Sequence, residues 1–298
     1  ISHRAQHARI ILRIDQEADA VHHRQHALHF AAEVGVSRGV DDVDAEFGVG
    51  ALVQPHDGGI FRQNRNAALT LQFVGIHDAF AQILARIEAL LREDAGKSDL
   101  RLADAFDLMA GTSTGAIIAT FLSQGKTVAE IERLYLEFGP LMFRRERWYR
   151  RWKSKYRADA IGALFKEHFC EDDGHRTPAL LGSPRLTTRL LILMRNATTG
   201  SPWPVSNNPD AMYNDRALDD CNLDVPLWKL LRASTAAPTF FAPERVDVGT
   251  RRFLFVDGGV TPFNNPALIA ALMATLPQYR LGWPTGPSAL HVVSVGTG

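Results

Sequence analysis

The chain has 298 residues, 46% of them hydrophobic and 22% charged, with 33 basic groups (Lys+Arg) against 33 acidic ones. A globular chain of that size buries about 75% of the surface its unfolded form exposes, so it holds a core without a disulfide or a structural metal. Zero net charge argues against a dedicated nucleic-acid binder or a uniformly basic membrane-surface protein, both of which work through summed positive potential.

No apolar stretch approaches 18 residues, so neither a bilayer-spanning segment nor a secretory leader is expected. The two cysteines, Cys170 and Cys221, are far apart and read as reduced thiols of a cytoplasmic protein.

The first 80 residues differ in kind from the rest. They contain no Lys, Tyr, Trp, Cys or Met, hold eight of the eleven histidines, and carry 7 basic against 10 acidic groups, a bias that uniform composition does not produce. His22, His26 and His29 would share one face of a helix. A structural metal site usually brings a second cluster of Cys, His or carboxylates at fixed spacing, and none accompanies them, so no metal is expected. Residues 1–79 read as an atypical N-terminal segment, appended, poorly ordered or outside the native reading frame, with no element before about Ala79.

From residue 79 to 91, Ile83, Leu84, Ile87, Leu90 and Leu91 recur at helical spacing, an amphipathic helix. A short apolar run at 106–110, a Gly-rich turn and a second run at 116–122 read as strand, turn, helix. Thr127 with Glu130 three residues later is a capping-box signal for a helix to about Phe138. Residues 187–194 read as a buried strand, Asp224 and Pro226 as the cap and first turn of a helix to about Ser234, and 253–256 and 290–295 as strands. The Gly/Pro clusters at 199–204 and 282–287 read as loops. Such alternation predicts an α/β fold, a largely parallel sheet with helices on both faces, with sites at the carboxyl ends of strands.

The sharpest local signal is Gly111-Thr112-Ser113-Thr114-Gly115, a GxSxG between a predicted strand and helix. Such a turn needs glycines beside the serine because it is tight and the helix packs close. It would put Ser113 at a helix N-terminus, where N–H groups and the positive dipole end favour a developing oxyanion. The plainer reading is a structural strand-to-helix turn or a phosphate loop, although the GK[ST] ending of a Walker loop is missing. An activated serine needs a base, and Asp257, followed by Gly258 and Gly259 after a predicted strand, can reach the same rim of the sheet. On its own, Asp-Gly-Gly after a strand is more often a turn.

GTSTG after FDLMA, the run RASTAAPTFF beginning at Arg232, the segment VDGGVTPFNNP beginning at Val256, and VSVGTG beginning at Val293 resemble, in order and spacing, the patatin-like phospholipases. The resemblance covers residues 80–298. It implies a three-layer α/β/α lipid acyl hydrolase without a cofactor or metal, acting on phospholipid or another acyl lipid. It also implies that Ser113 is the nucleophile and Asp257 its base, working through an acyl-enzyme.

This chain departs from the family at the Gly-rich DGGGxRG loop that supplies oxyanion donors. The place before the 79–91 helix holds LQFVGIH (71–77), and the nearest likeness, HDGGIFR (56–62), lies too early and lacks two glycines. The oxyanion donors are therefore unassigned, and weak or absent turnover is expected, since each lost donor costs about 10²–10³ in rate. The family pattern also leads one to expect more chain after Gly298.

Three further readings complete the picture. Residues 144–157 (RRERWYRRWKSKYR) align Trp148, Trp152 and Tyr156 on one stripe beside Arg147, Arg151 and Lys155, either a peripheral contact with anionic headgroups or a face packed on its own domain. The order Ser113, Asp257, His291 is that of an α/β-hydrolase triad, but a triad histidine belongs after its strand and His291 opens one. A protein that keeps the fold and binds lipid without catalysis is the non-enzymatic alternative.

Overall fold

The structure, a computed structural model, describes residues 11–12, 67–71, 78–142, 158–286 and 289–295. Expectations for the histidine tract, the 56–62 and 72–77 segments, the 144–157 stripe and residues 296–298 lie outside the described residues.

In chain order the elements are β1 (Ile11–Leu12), β2 (Ala67–Leu71), α1 (Asp78–Ala95), α2 (Leu102–Ala105), β3 (Leu108–Thr112), α3 (Thr114–Ser123), α4 (Val128–Met142), α5 (Ala158–His168), β4 (Arg189–Asn196), β5 (Pro202–Ser206), α6 (Leu227–Ser234), β6 (Glu244–Val248), β7 (Arg251–Asp257), α7 (Ala267–Thr275) and β8 (His291–Val295). The strands form one sheet in the order β1-β8-β2-β3-β4-β7-β6, with β5 also on β4.

The sheet is mixed. Pairs from β1 through β8, β2 and β3 to β4 are parallel, whereas β4–β5, β4–β7 and β6–β7 are antiparallel. The expectation of a largely parallel sheet holds for one half only. The reason lies in the connections: β6 and β7 are joined by the two-residue turn Gly249-Thr250, with Val248 opposite Arg251 and Gly249 at φ +60, and so tight a hairpin permits only antiparallel pairing.

Side-chain alternation along β3 and β4 divides the interior. Met109, Leu190, Ile192 and Met194 join a large core with α1, α3 and α6. Leu108, Ala110 and Leu191 face the other way, onto Ile269, Ala270 and Met273 of α7. This two-sided burial is what a strand pattern without polar alternation encodes. Helix α3 is buried along its whole length. Two of its polar side chains are satisfied within the helix, Thr120 Oγ1 donating to Ala116 O at 2.7 Å and Ser123 Oγ to Ala119 O at 2.8 Å.

The first amphipathic helix is α1, with Leu84, Ile87 and Leu91 buried. The capping box that opens α4 is present: Thr127 N–H donates to Glu130 Oε2 at 2.7 Å and Glu130 N–H to Thr127 Oγ1 at 3.2 Å. Three expectations need correcting. A strand does precede Ala79: β2 sits between β8 and β3 in the middle of the sheet, and its short AALTL run has too little periodicity to announce itself. Residues 202–204 of the expected 199–204 loop instead belong to β5, whose two prolines are tolerated because, among the described residues, it pairs with β4 alone. Asp224 closes a 3-10 turn, and Pro226 is the residue that caps α6.

Candidate active site

Strand β4 sets the geometry. One of its edges carries β5 over Leu191–Arg195. The other carries β3, whose last residue Thr112 lies opposite Leu193, and then β7, whose last residue Asp257 lies opposite Met194. The two strands approach head-on along the same edge, so the carboxyl end of each meets that of the other at a seam.

Ser113 leaves β3 at this seam and caps α3 with φ 57 and ψ −126. For a non-glycine residue this backbone costs about 1–3 kcal/mol and persists only where the surroundings fix it. Gly111 is required two residues earlier, in β3, because a Cβ there would run into Gly115 O and Ala116 Cα. Thr112 is buried beneath the turn and Thr114 begins the helix. The elbow presents the Ser113 hydroxyl at the positive end of a buried helix.

Ser113 Oγ donates to Asp257 Oδ2 at 2.6 Å. The other carboxylate oxygen, Oδ1, accepts from Gly259 N–H at 2.7 Å. Gly258 is required where the strand turns away, since a Cβ would lie 2.5 Å from Leu193 O and 3.0 Å from Thr112 Cγ2. A Cβ on Gly259 would sit 3.1 Å from Asp257 Oδ1 and 3.2 Å from Asn264 Oδ1. Asp257 is only 4% exposed. Burial raises its pKa to about 6 against the opposing pull of the Ser113 and Gly259 hydrogen bonds.

The structure brings Ser113 and Asp257 together and leaves His291 apart. His291 pairs with Ala67 at the amino end of the parallel strands, whereas Leu71 pairs with Gly111 near the carboxyl end. Six chain positions separate the level of His291 from that of Ser113, which lies one past the end of β3, about 20 Å at 3.3 Å per residue. The triad arrangement is thereby lost. Among the described residues no group of His, Cys, Asp and Glu is arranged to hold a metal ion. No described helix is long and apolar enough to cross a membrane.

Two contributors have no individual sequence signal. Ser234 Oγ accepts from Ser113 N–H at 2.9 Å, and Ala236 O accepts from Asp257 N–H at 3.0 Å. Both fall in the RASTAAPTFF run, where the density of small residues marks close approach without saying of what.

A serine on a strained strand-to-helix turn of an α/β sheet has the geometry of a nucleophile elbow. The chain belongs to the patatin-like phospholipase family, which it matches over residues 79–271. It is 30% identical over 255 residues to a cGAMP-activated phospholipase of Vibrio cholerae serotype O1, covering 79% of this chain and 65% of that protein. It is 26% identical over 235 residues to Patatin-T5 of Solanum tuberosum, covering 73% of this chain and 56% of that one. The chain thus spans between 56% and 65% of the length of these two curated relatives. Among solved structures, VipD from Legionella pneumophila aligns with a TM-score of 0.40 at 15% identity, over 66% of this chain and 46% of that one.

Proposed function

We propose that this chain is a lipid acyl hydrolase of the phospholipase A type, a serine hydrolase that cleaves fatty-acyl esters through Ser113 and Asp257 on a three-layer α/β/α body. The observation that carries the reading is the buried 2.6 Å hydrogen bond from Ser113 Oγ to Asp257 Oδ2 at the amino end of α3. In the first half-reaction Ser113 Oγ attacks the ester carbonyl carbon while its proton passes to Asp257. The tetrahedral oxyanion forms beside the α3 N-terminus. Collapse breaks the bond to the alcohol, which leaves with the proton from Asp257, and Ser113 remains acylated. Asp257, again a carboxylate, then takes a proton from water as that water attacks the acyl carbon, and returns it to Ser113 Oγ as the fatty acid departs. A carboxylate raised to about 6 is a better proton acceptor than an ordinary aspartate and is still largely ionised at pH 7.

The sequence lacks the DGGGxRG loop at the expected place, so turnover is proposed to be low, by about 10²–10³ for each oxyanion donor missing. Peripheral contact with anionic lipid through 144–157 and a cytoplasmic location complete the proposal. Both are supported by the sequence alone, and charge reversal at Arg147 and Arg151 should lower binding to anionic vesicles.

The test is labelling by a fluorophosphonate probe together with hydrolysis of short-chain nitrophenyl esters. Labelling and slow hydrolysis are expected in the wild type and lost in Ser113→Ala; turnover at the rate of an intact oxyanion site would overturn the proposed impairment. Complete failure of the wild type to label, with retained binding to lipid vesicles, would replace this reading with that of a non-catalytic lipid-binding protein.

A further inference from the structure

Ser113, the residue after β3, and Asp257, the last of β7, come from strands that abut without pairing with each other, so their spacing has to be held by something else. The stretch from Ser234 to Ala236, where α6 ends, touches both. Ser113 N–H donates to Ser234 Oγ at 2.9 Å, Ser234 Oγ donates to Leu193 O at 2.6 Å, and Asp257 N–H donates to Ala236 O at 3.0 Å.

The polarity of this link is determined. A hydroxyl has one proton, and a carbonyl can only accept, so the proton of Ser234 is committed to Leu193 and a lone pair must face Ser113 N–H. Leu193 is the β4 residue opposite the last residue of β3, so the hydroxyl fills the gap where β3 leaves the sheet. Ser234 is fully buried, and no solvent replaces the link if it is removed.

We infer that Ser234 is a positioning residue for the nucleophile: by bridging Ser113 N–H and Leu193 O across the seam, it holds the strained elbow where Ser113 Oγ meets Asp257. The inference rests on the acyl-hydrolase reading above. Without the bridge, two buried backbone groups lose their partner and the elbow loses the contact opposing its relaxation. Displacement of Ser113 Oγ by about 1 Å is enough to cost about 10² in rate.

The experiment compares wild type, Ser234→Ala and Ser234→Thr by the second-order rate of fluorophosphonate labelling, by kcat and KM for a nitrophenyl ester, and by the pH dependence of labelling. Ser234→Ala should label about 10²-fold more slowly and lose kcat in proportion, with KM within about twofold of wild type. Its acid limb should move to higher pH, because the Ser113 hydrogen bond that lowers the Asp257 pKa is weakened. Ser234→Thr, which keeps the hydroxyl, should recover most of the rate. If the alanine protein does not fold, Ser234→Cys, nearly isosteric with a weak S–H donor, should show the same losses at smaller amplitude. A folded variant without the hydroxyl that melts lower but labels at the wild-type rate with an unmoved acid limb would make Ser234 purely structural and overturn the inference. Failure of the wild type to label at Ser113 would instead overturn the acyl-hydrolase reading and this inference with it.

Discussion

Thr112 and Asp257 end their strands on consecutive rungs of one edge of β4, Thr112 opposite Leu193 and Asp257 opposite Met194. One strand runs parallel to β4 and the other antiparallel, so 144 residues of sequence separation between Ser113 and Asp257 collapse to a single hydrogen bond. The seam tolerates little added volume. Gly258→Ala would place a Cβ 2.5 Å from Leu193 O, against backbone that cannot rotate away. The end of β7 must then move outward, carrying Asp257 with it. The expected result is a folded protein whose labelling rate at Ser113 falls about 10²-fold; wild-type kinetics in a folded variant would show the seam to be looser than the structure implies.

The core that supports the elbow can be weakened without touching the chemistry. Phe121, on the last turn of α3, stacks on Phe169 with ring centroids 4.6 Å apart, and both are fully buried. Phe121→Ala should cost about 3–5 kcal/mol through lost transfer energy and the cavity left behind. Denaturant melts would register this as a lower midpoint at unchanged slope. Labelling per folded molecule should stay near wild type, because the first turn of α3 is tied separately, Tyr135 Oη donating to Thr114 O at 2.9 Å.

Legibility in the sequence followed the range of the forces involved. Helix α1, the Thr127/Glu130 cap and the GTSTG elbow could be read because periodicity, capping and tight-turn glycines act within a few residues. Pairing of Asp257 with Ser113 was reachable through the family resemblance and the rule that sites gather at strand ends. β2 stayed hidden because five residues, Ala67–Leu71, do not establish a period. Antiparallel addition of β7 and the role of Ser234 are non-local: nothing near residue 234 indicates that its hydroxyl bridges residues 113 and 193.

His291 supplies a separate test of the proposed two-residue mechanism. It is buried at the start of β8, about 20 Å along the strands from the level of Ser113. His291→Ala should therefore lower the melting temperature, as loss of a buried side chain does, while the labelling rate per folded molecule stays within about twofold of wild type. Loss of labelling comparable to that in a nucleophile mutant would restore a triad, in which every member is needed.

The raised pKa of Asp257 links activity and stability to pH in opposite senses. Ordinary aspartate titrates near 3.8 and Asp257 near about 6, chiefly because burial disfavours the charge. On the proposed mechanism, protonation below about 6 removes the proton acceptor, so labelling should fall as pH drops through that value. Stability runs the other way. A group whose folded pKa exceeds its unfolded one contributes fully below the unfolded value, and that contribution is lost as pH rises through the folded value. Above pH 6 the buried carboxylate thus costs about 3 kcal/mol relative to its protonated form. Asp257→Asn removes that cost while keeping size and much of the hydrogen bonding. At pH 8 it should be inactive and more stable by about 1–3 kcal/mol, with the advantage gone at pH 4. Melts at the two pH values, run beside labelling, check both halves; a variant less stable than wild type at pH 8 would show that the carboxylate is stabilised by its two hydrogen bonds more than burial penalises it.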